Sequence, residues 1–593
     1  MRSPDTAQRG FFSPRSFGTW LILALILLLY VVTIVMLHPA ANFGAMLDDA
    51  MYFASAKAIA TGHGYMLPSF PGGLARLKYP ELYPWLLSWI WRFDPIFPAN
   101  VVPAIGMTVA FGCWFLVACF LLAKRTLQLD SPWALVVTAL CAFNFFGLLL
   151  GGSVMSDLPF GALALSAALA ADVALEPRGH WGWLALAGAL GSLCVGLRTI
   201  GVTVVAGIAL VALLRRGWRH AALVTAVGGL LSIPWLLPLA SRLLGPHPAS
   251  SALPFGWTQT LAYYSSYVGQ WKCFVPNWAT QRAVLLKNLF NVILEPGIFL
   301  LLPVANRAAL LSFGVGSAVA LASWAGIFFR FRQGSWKSIH GIFLFYIPFV
   351  LPWPFLPLRF LVPFLPLLLG GLVVIVREIA GLALARLRRS APITDRAAAA
   401  AAMAALLALA GITVANCADF VPKALTDSSS QQALLAQEHA AYRWIAAHTA
   451  PKARFIANED ALLYLYTGRQ TICPIAISTA ATYDNDPAIA RQDAAHLDDV
   501  ARFIHADYWL VTSNDFHRQG ANRAIFIRRR DELLANAPVV FRSVSGRVRI
   551  YDLQPSPRRH RGVAQTPEDR TGKPTKAGPP SAGALRDPEL ASW

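Results

Sequence analysis

Long apolar runs separated by short polar breaks dominate the chain, and this pattern predicts an almost entirely helical molecule. Residues 18–37 carry no charge over a length that crosses a bilayer. Comparable runs recur at about 99–123, 132–152, 158–176, 181–197, 199–214, 221–241, 308–329, 339–353, 360–377 and 397–416. The run at 286–306 is broken by Glu295-Pro296-Gly297, which predicts a re-entrant or interfacial hairpin rather than a full crossing. About eleven spans result. After about residue 418 the pattern changes: 432–447 is helical, 454–457, 508–512, 539–544 and 548–553 are strand-like, and helical stretches lie between them. From 554 to 593 apolar residues nearly vanish among Pro, Gly, Arg and Ser, which predicts a disordered tail.

Composition sharpens this picture. Hydrophobic residues make up 56% and charged residues 14%, with mean hydropathy +0.51. Soluble domains carry roughly 25% charged residues, so an ordinary soluble enzyme is excluded, as is a disordered chain. The net charge of +19 does not point to nucleic acid, because no basic segment interleaves aromatics in the way of a single-strand groove. It points to loops retained on the cytoplasmic side. Arg2, Arg9 and Arg15 precede the first span and put the N-terminus inside. Lys124 with Arg125, Arg178, Arg215 with Arg216 and Arg219, Arg330 with Arg332 and Lys337, and Arg386 with Arg388 and Arg389 all fall in loops that alternate to that side. An odd count of spans then puts the C-terminus outside. The expected layout is a polytopic α-helical membrane domain over 1–417 with outer loops 38–98 and 242–286, a small outer α/β domain over 418–553, and the tail. Only 10 of the 50 basic residues are Lys, a composition of GC-rich bacterial genomes, so the expected location is a bacterial inner membrane with the C-terminal domain periplasmic. None of the seven Cys pairs at C-x-x-C spacing, and no zinc site is suggested.

Acidic residues near the membrane are few, and their positions are informative. Asp48-Asp49 open a short helix predicted at 48–60, where a carboxylate caps free backbone N–H groups, does chemistry at the membrane–water boundary, or does both. Asp157 sits at an outer span end, where a carboxylate either faces water or marks a site. Lys78, Arg198 and Arg359 are cations on the outer side, against the usual charge bias. Each either snorkels to lipid phosphate or binds a phosphate ligand, for which the guanidinium fork is suited.

The stretch from Asp48-Asp49-Ala50-Met51-Tyr52 through Gly62-His63-Gly64-Tyr65, followed by Lys78-Tyr79-Pro80-Glu81-Leu82-Tyr83-Pro84-Trp85, resembles the first outer loop of the C-type glycosyltransferases. The similar groups are the protein O-mannosyltransferases and lipid A aminoarabinose transferases. Leu197-Arg198-Thr199, Arg359-Phe360-Leu361-Val362-Pro363 and Tyr464-Leu465-Tyr466-Thr467-Gly468-Arg469 fit the same family in the same order. The resemblance implies transfer of a sugar from a polyprenyl phosphate to an envelope acceptor (protein, lipid or glycan) on the outer face. It further implies Asp48 as the acceptor-activating base, with Asp49 beside it, Asp157 as a second acid, and Lys78, Arg198 and Arg359 on the donor phosphate. Glu81 stands where the family usually has a second Pro and is an additional candidate acid. Some members bind a divalent metal and others do not, so no cofactor is assigned and a metal stays open.

The chemistry is consistent with this reading. A lipid-phosphate sugar brings its own leaving group, and no Gly-rich phosphate loop follows a strand anywhere in the chain. Two other classes stay open: a transporter or flippase of lipid-linked sugars, and a glycan polymerase or ligase of another membrane fold. Against the transporter stand the large outer regions and the want of charge near mid-span.

Overall fold

The computed structural model describes residues 14–244, 253–390, 434–474 and 485–554, a few internal positions aside, with scattered residues between 400 and 481. The expected span at 397–416, scattered positions aside, and the tail after 554 lie outside the described residues. The chain divides into two compact units: Met1–Tyr65, Tyr79–Leu244 and Arg282–Gln432 form one, and Met66–Lys78, Gly245–Gln281 and Ala433–Trp593 the other.

The first unit is helical. In order it contains α1 (Pro14–Met36), α2 (Asp48–Ala60), α3 (Leu82–Phe93), α4 (Val101–Arg125), α5 (Ser131–Ala142), α6 (Phe145–Gly151), α7 (Asp157–Ala174), α8 (Trp181–Leu197), α9 (Val202–Arg216) and α10 (Trp218–Leu244). Beyond the helices α11 (Phe255–Ser265) and α12 (Tyr267–Phe274) of the other unit come α13 (Trp278–Ala305), α14 (Ala309–Gln333), α15 (Ser338–Val350), a 3₁₀ segment Leu358–Phe364 and α16 (Leu365–Ser390). Among the described residues seven helices are long and apolar enough to cross a membrane, and eight if α5 and α6, bent by 61°, form one span. Leu21, Leu25, Leu28 and Val35 of α1 stay exposed, as expected of a face that meets hydrocarbon rather than water. The protein is a multi-pass membrane protein.

At the centre is α7. All but two of its 18 residues are buried, and its many alanines let neighbouring helices approach closely. The glycine pair Gly207 and Gly341 serves the same purpose between α9 and α15, since a Cβ on either would overlap the backbone of the other helix. The two ends of α7, about 27 Å apart at 1.5 Å per residue, differ in chemistry. Near its C-terminus Asp172 accepts from the Ser338 N–H and Oγ, both at 2.8 Å, and so caps α15. The Leu175 carbonyl takes Arg215 and Arg216 at 3.2–3.3 Å. Arg215 and Arg216 thus lie at that end, and Asp157 begins the other.

One expectation is overturned. Residues 286–305 form no hairpin: α13 is a single 28-residue helix that runs through Glu295-Pro296-Gly297. Proline costs a helix one hydrogen bond and tilts the preceding turn, but it does not reverse the chain. The bond lost is the one to the Val292 carbonyl, and beside it the Trp324 indole of α14 donates to the Ile293 carbonyl at 2.8 Å, tying this turn to the neighbouring helix. A helix of about 42 Å is long enough to cross, so this segment no longer supports the odd span count.

The second unit is built on a five-stranded sheet of order β2-β1-β3-β5-β4. Its strands are β1 (Arg454–Ile456), β2 (Gln470–Ile472), β3 (Tyr508–Val511), β4 (Val539–Arg542) and β5 (Arg549–Asp552). β1 pairs in parallel with β2 and β3, and β5 is antiparallel to β3 and β4. A helix over 434–448 packs Tyr442 and Ile445 onto Phe455, Leu510 and Ile550. The expected α/β elements are all present, while β2, three residues long, was missed. Loop segments complete the unit. The Thr471 N–H donates to the Ser69 carbonyl at 2.7 Å, Tyr264 donates to Asp460 at 2.8 Å, and Trp257 stacks on Phe503.

Candidate active site

Four element ends bring the site residues of the first unit together. Asp48 is the first residue of α2, reached through a tight turn in which Gly44 and Leu47 both have positive φ, of 96° and 56°. Leucine rarely adopts that conformation, so the turn is held by its surroundings. Asp49 does much of the holding: its carboxylate accepts from the Gly44 N–H at 2.9 Å and the Ala50 N–H at 2.8 Å. The capping role considered for the pair is thus performed by Asp49, and the Asp48 carboxylate has side-chain partners. Tyr79 donates to its Oδ1 at 2.7 Å, and Arg359 Nη2 donates to its Oδ2 at 3.1 Å.

Asp157 opens α7, and Arg198 ends α8, where the chain turns extended before the 3₁₀ turn Thr199–Gly201. Arg198 Nη1 rests directly on Asp157 Oδ1. Arg359, second in the 3₁₀ segment Leu358–Phe364, reaches the same oxygen with Nε at 3.5 Å. The four side chains therefore form one chain of alternating charge, Arg198–Asp157–Arg359–Asp48, ending on Tyr79. Both carboxylates stand in the first turn of a helix, where the backbone dipole favours negative charge.

Aromatic rings fix this arrangement. Phe360 lies 5.0 Å from the Arg198 guanidinium and 5.8 Å from that of Arg359. Tyr346 of α15 donates to the Phe360 carbonyl at 2.8 Å, which fastens the segment that carries Arg359. Tyr52 packs edge-on against Tyr79 and Tyr83, and its hydroxyl lies 3.4 Å from Ser156 Oγ. Burial, and then the Asp48 charge, push the Tyr52 phenol well above its ordinary pKa, so it stays a neutral hydrogen-bonding group.

Lys78 is the last residue of a segment belonging to the second unit. There its ammonium contacts Gln270 Oε1 at 3.3 Å and lies 3.7 Å from the Tyr263 ring centroid, in cation–π contact. Glu81 directly precedes α3. Of the expected residues, the structure brings together Asp48, Asp157, Arg198 and Arg359. It directs Asp49 to backbone and places Lys78 in the other unit. Sequence reasoning did not single out Tyr79, Tyr52, Phe360 or Tyr346. Tyr79 and Phe360 stand next to Lys78 and Arg359 in the quoted motifs, but adjacency gave no sign that they touch the acids and cations.

Among the described residues no three His, Cys, Asp or Glu gather in a way that could hold a metal ion. The two site carboxylates meet guanidinium groups instead.

Comparison with known proteins agrees with this architecture. No protein-family model and no curated protein sequence matches the chain. Among solved structures it resembles the archaeal oligosaccharyltransferase AglB from Archaeoglobus fulgidus in complex with an inhibitory peptide and a dolichol-phosphate. Identity is 14% and the TM-score 0.52, over 91% of this chain and 75% of that one. The chain has the C-type glycosyltransferase fold. ArnT from Cupriavidus metallidurans bound to undecaprenyl phosphate also aligns, at 14% identity and a TM-score of 0.47, over 90% of this chain and 98% of that one.

Proposed function

We propose that the protein is a membrane glycosyltransferase that moves a sugar from a polyprenyl-phosphate donor to an acceptor on the outer face of a bacterial inner membrane. The observation that carries this reading is the partly buried ladder Arg198–Asp157–Arg359–Asp48 at one end of α7, opposite the end that meets Arg215 and Arg216. It supplies what transfer from a lipid phosphate requires: a carboxylate to take the acceptor proton and guanidinium groups to steady the leaving phosphate. The fold shared with an enzyme solved with dolichol-phosphate supports the donor class.

Asp48 is the base. Its proton comes from the acceptor hydroxyl or amine as that atom attacks the sugar carbon. The bond from that carbon to the phosphate oxygen breaks, and the electron pair leaves on the phosphate. Arg359 and Arg198 stabilise the growing charge with charge-assisted hydrogen bonds. Asp157 holds both guanidinium groups in register and is a positioning residue. The assignment of Lys78 to the donor phosphate rests on its motif alone. The donor set at the ladder fits guanidinium better than metal, and no step is routed through a metal ion.

The test is donor turnover in membranes carrying the wild type or single variants. Asp48→Asn abolishes sugar transfer at normal expression and insertion. Full activity in that variant removes Asp48 from the mechanism. Movement of labelled lipid-linked sugar across a vesicle by purified protein, with no product formed, would favour the flippase instead.

A further inference from the structure

The four site side chains cancel: two guanidinium groups face two carboxylates, and each Arg is already in contact with an Asp. An anionic headgroup entering such a cluster gains little from it as a whole, because every attraction to an Arg is opposed by a neighbouring carboxylate. It gains only if one carboxylate gives way. We propose that the donor phosphate displaces Asp48 from Arg359, and that this displacement is what frees Asp48 to act as the base. The inference rests on the glycosyltransferase reading above.

The geometry selects which acid moves. Asp157 is touched by both guanidinium groups, and its side chain is 1% exposed. Of those two groups only Arg359 reaches Asp48, at 3.1 Å. Of the two acids Asp48 is the more exposed, at 12% against 1%, and its partner Arg359, at 25%, is more exposed than Arg198 at 13%, so the Asp48–Arg359 pair is the more accessible one. Asp48 also has a second anchor. The 2.7 Å bond from Tyr79 holds Oδ1 and leaves Oδ2 as the atom released when Arg359 turns to phosphate.

Release changes reactivity in the useful direction. A carboxylate paired with a guanidinium is a poor base, and loss of that guanidinium makes it a better one. The base is thus weak while the donor is absent and strengthens when the phosphate arrives. The proton, bond and electron-pair changes are those of the transfer step above. Tyr79 is a positioning residue in this scheme: it keeps Asp48 in place between its two states.

The test measures binding rather than turnover, with purified full-length protein in detergent and farnesyl phosphate as probe. Asp48→Asn removes the competing charge at nearly constant shape, and it should bind farnesyl phosphate about tenfold more tightly than the wild type. Arg359→Ala should bind it at least tenfold more weakly. Tyr79→Phe removes one anchor of Asp48, makes it lean more on Arg359 and should weaken binding several-fold, a second reading should Asp48→Asn fail to fold. Farnesol should show no gain in Asp48→Asn. Equal or weaker binding of farnesyl phosphate by Asp48→Asn, with clear binding by the wild type, overturns the displacement and leaves the glycosyltransferase reading standing. No binding by either protein overturns that reading as well. A gain as large with inorganic phosphate as with the ester assigns the pair to free phosphate and overturns the lipid headgroup as its ligand.

Discussion

Adjacent carboxylates at the start of α2 have separate work. Asp49 ties the Gly44–Leu47 turn through two backbone N–H groups, and Asp48 faces Tyr79 and Arg359. Their isosteric variants should therefore differ. Asp48→Asn loses turnover, whereas Asp49→Asn keeps an acceptor oxygen for the turn and should retain most of it, with the loss appearing in thermal stability. Equal loss of turnover in the two, measured at matched expression, would contradict the division. A second residue-scale prediction concerns Glu438 in the helix over 434–448. It is buried, its Oε1 has no hydrogen-bond partner among the described residues, and Glu459 and Asp515 add repulsion. Burial first, then those two charges, pushes its pKa up to about 9. Between the ordinary carboxylate value near 4.3 and about 9 the folded state holds a proton that the unfolded state has lost. That stabilisation is complete below the lower value and is lost as pH rises through the upper one. Hydrogen exchange of 434–448 in the intact protein should accelerate from pH 6 to 9 beyond the intrinsic rate increase, and Glu438→Gln should remove the excess.

At the scale of elements, Arg359 is only as well placed as the short 3₁₀ segment that carries it. Tyr346 fastens that segment from α15, and the Gly207–Gly341 contact seats α15 against α9. Tyr346→Phe deletes one hydrogen bond of about 1 kcal/mol, so donor KM should rise a few-fold with acceptor KM unchanged. Arg359→Lys keeps the charge but loses the fork that spans Asp48 and Asp157, and it should weaken donor use partly; Arg359→Ala should weaken it far more. An unaltered donor response in Arg359→Ala would mean that this Arg serves only as a surface anchor. Elements with a strong local signal were legible from the sequence: α2, the long apolar helices and four of the five strands. The α13 segment departs from expectation because Glu-Pro-Gly signals a break locally, whereas support such as the Trp324 bond to Ile293 comes from 31 residues away. The site was legible as residue types at span ends. Its pairing was not, because Asp48 and Arg359 are 311 positions apart and helix packing alone unites them.

At the scale of the molecule, chemistry is polarised along α7. Arg215 and Arg216 meet the Leu175 carbonyl at one end, and the ladder of acids and arginines begins at Asp157 at the other. If the basic end is cytoplasmic, reporters placed near Arg216 or Arg388 report the inside and reporters after residue 430 the outside. With α13 a continuous helix, this experiment rather than a span count decides the side. The most direct test of the ladder as a sugar-transfer site is release of free polyprenyl phosphate from a polyprenyl-phosphate sugar by membranes containing the protein. Wild-type membranes should release it, Asp157→Asn membranes at least tenfold more slowly, and Asp48→Asn membranes at the background rate of membranes without the protein. Release by Asp48→Asn at the wild-type rate, or none by the wild type with any lipid-linked sugar supplied, would contradict the account.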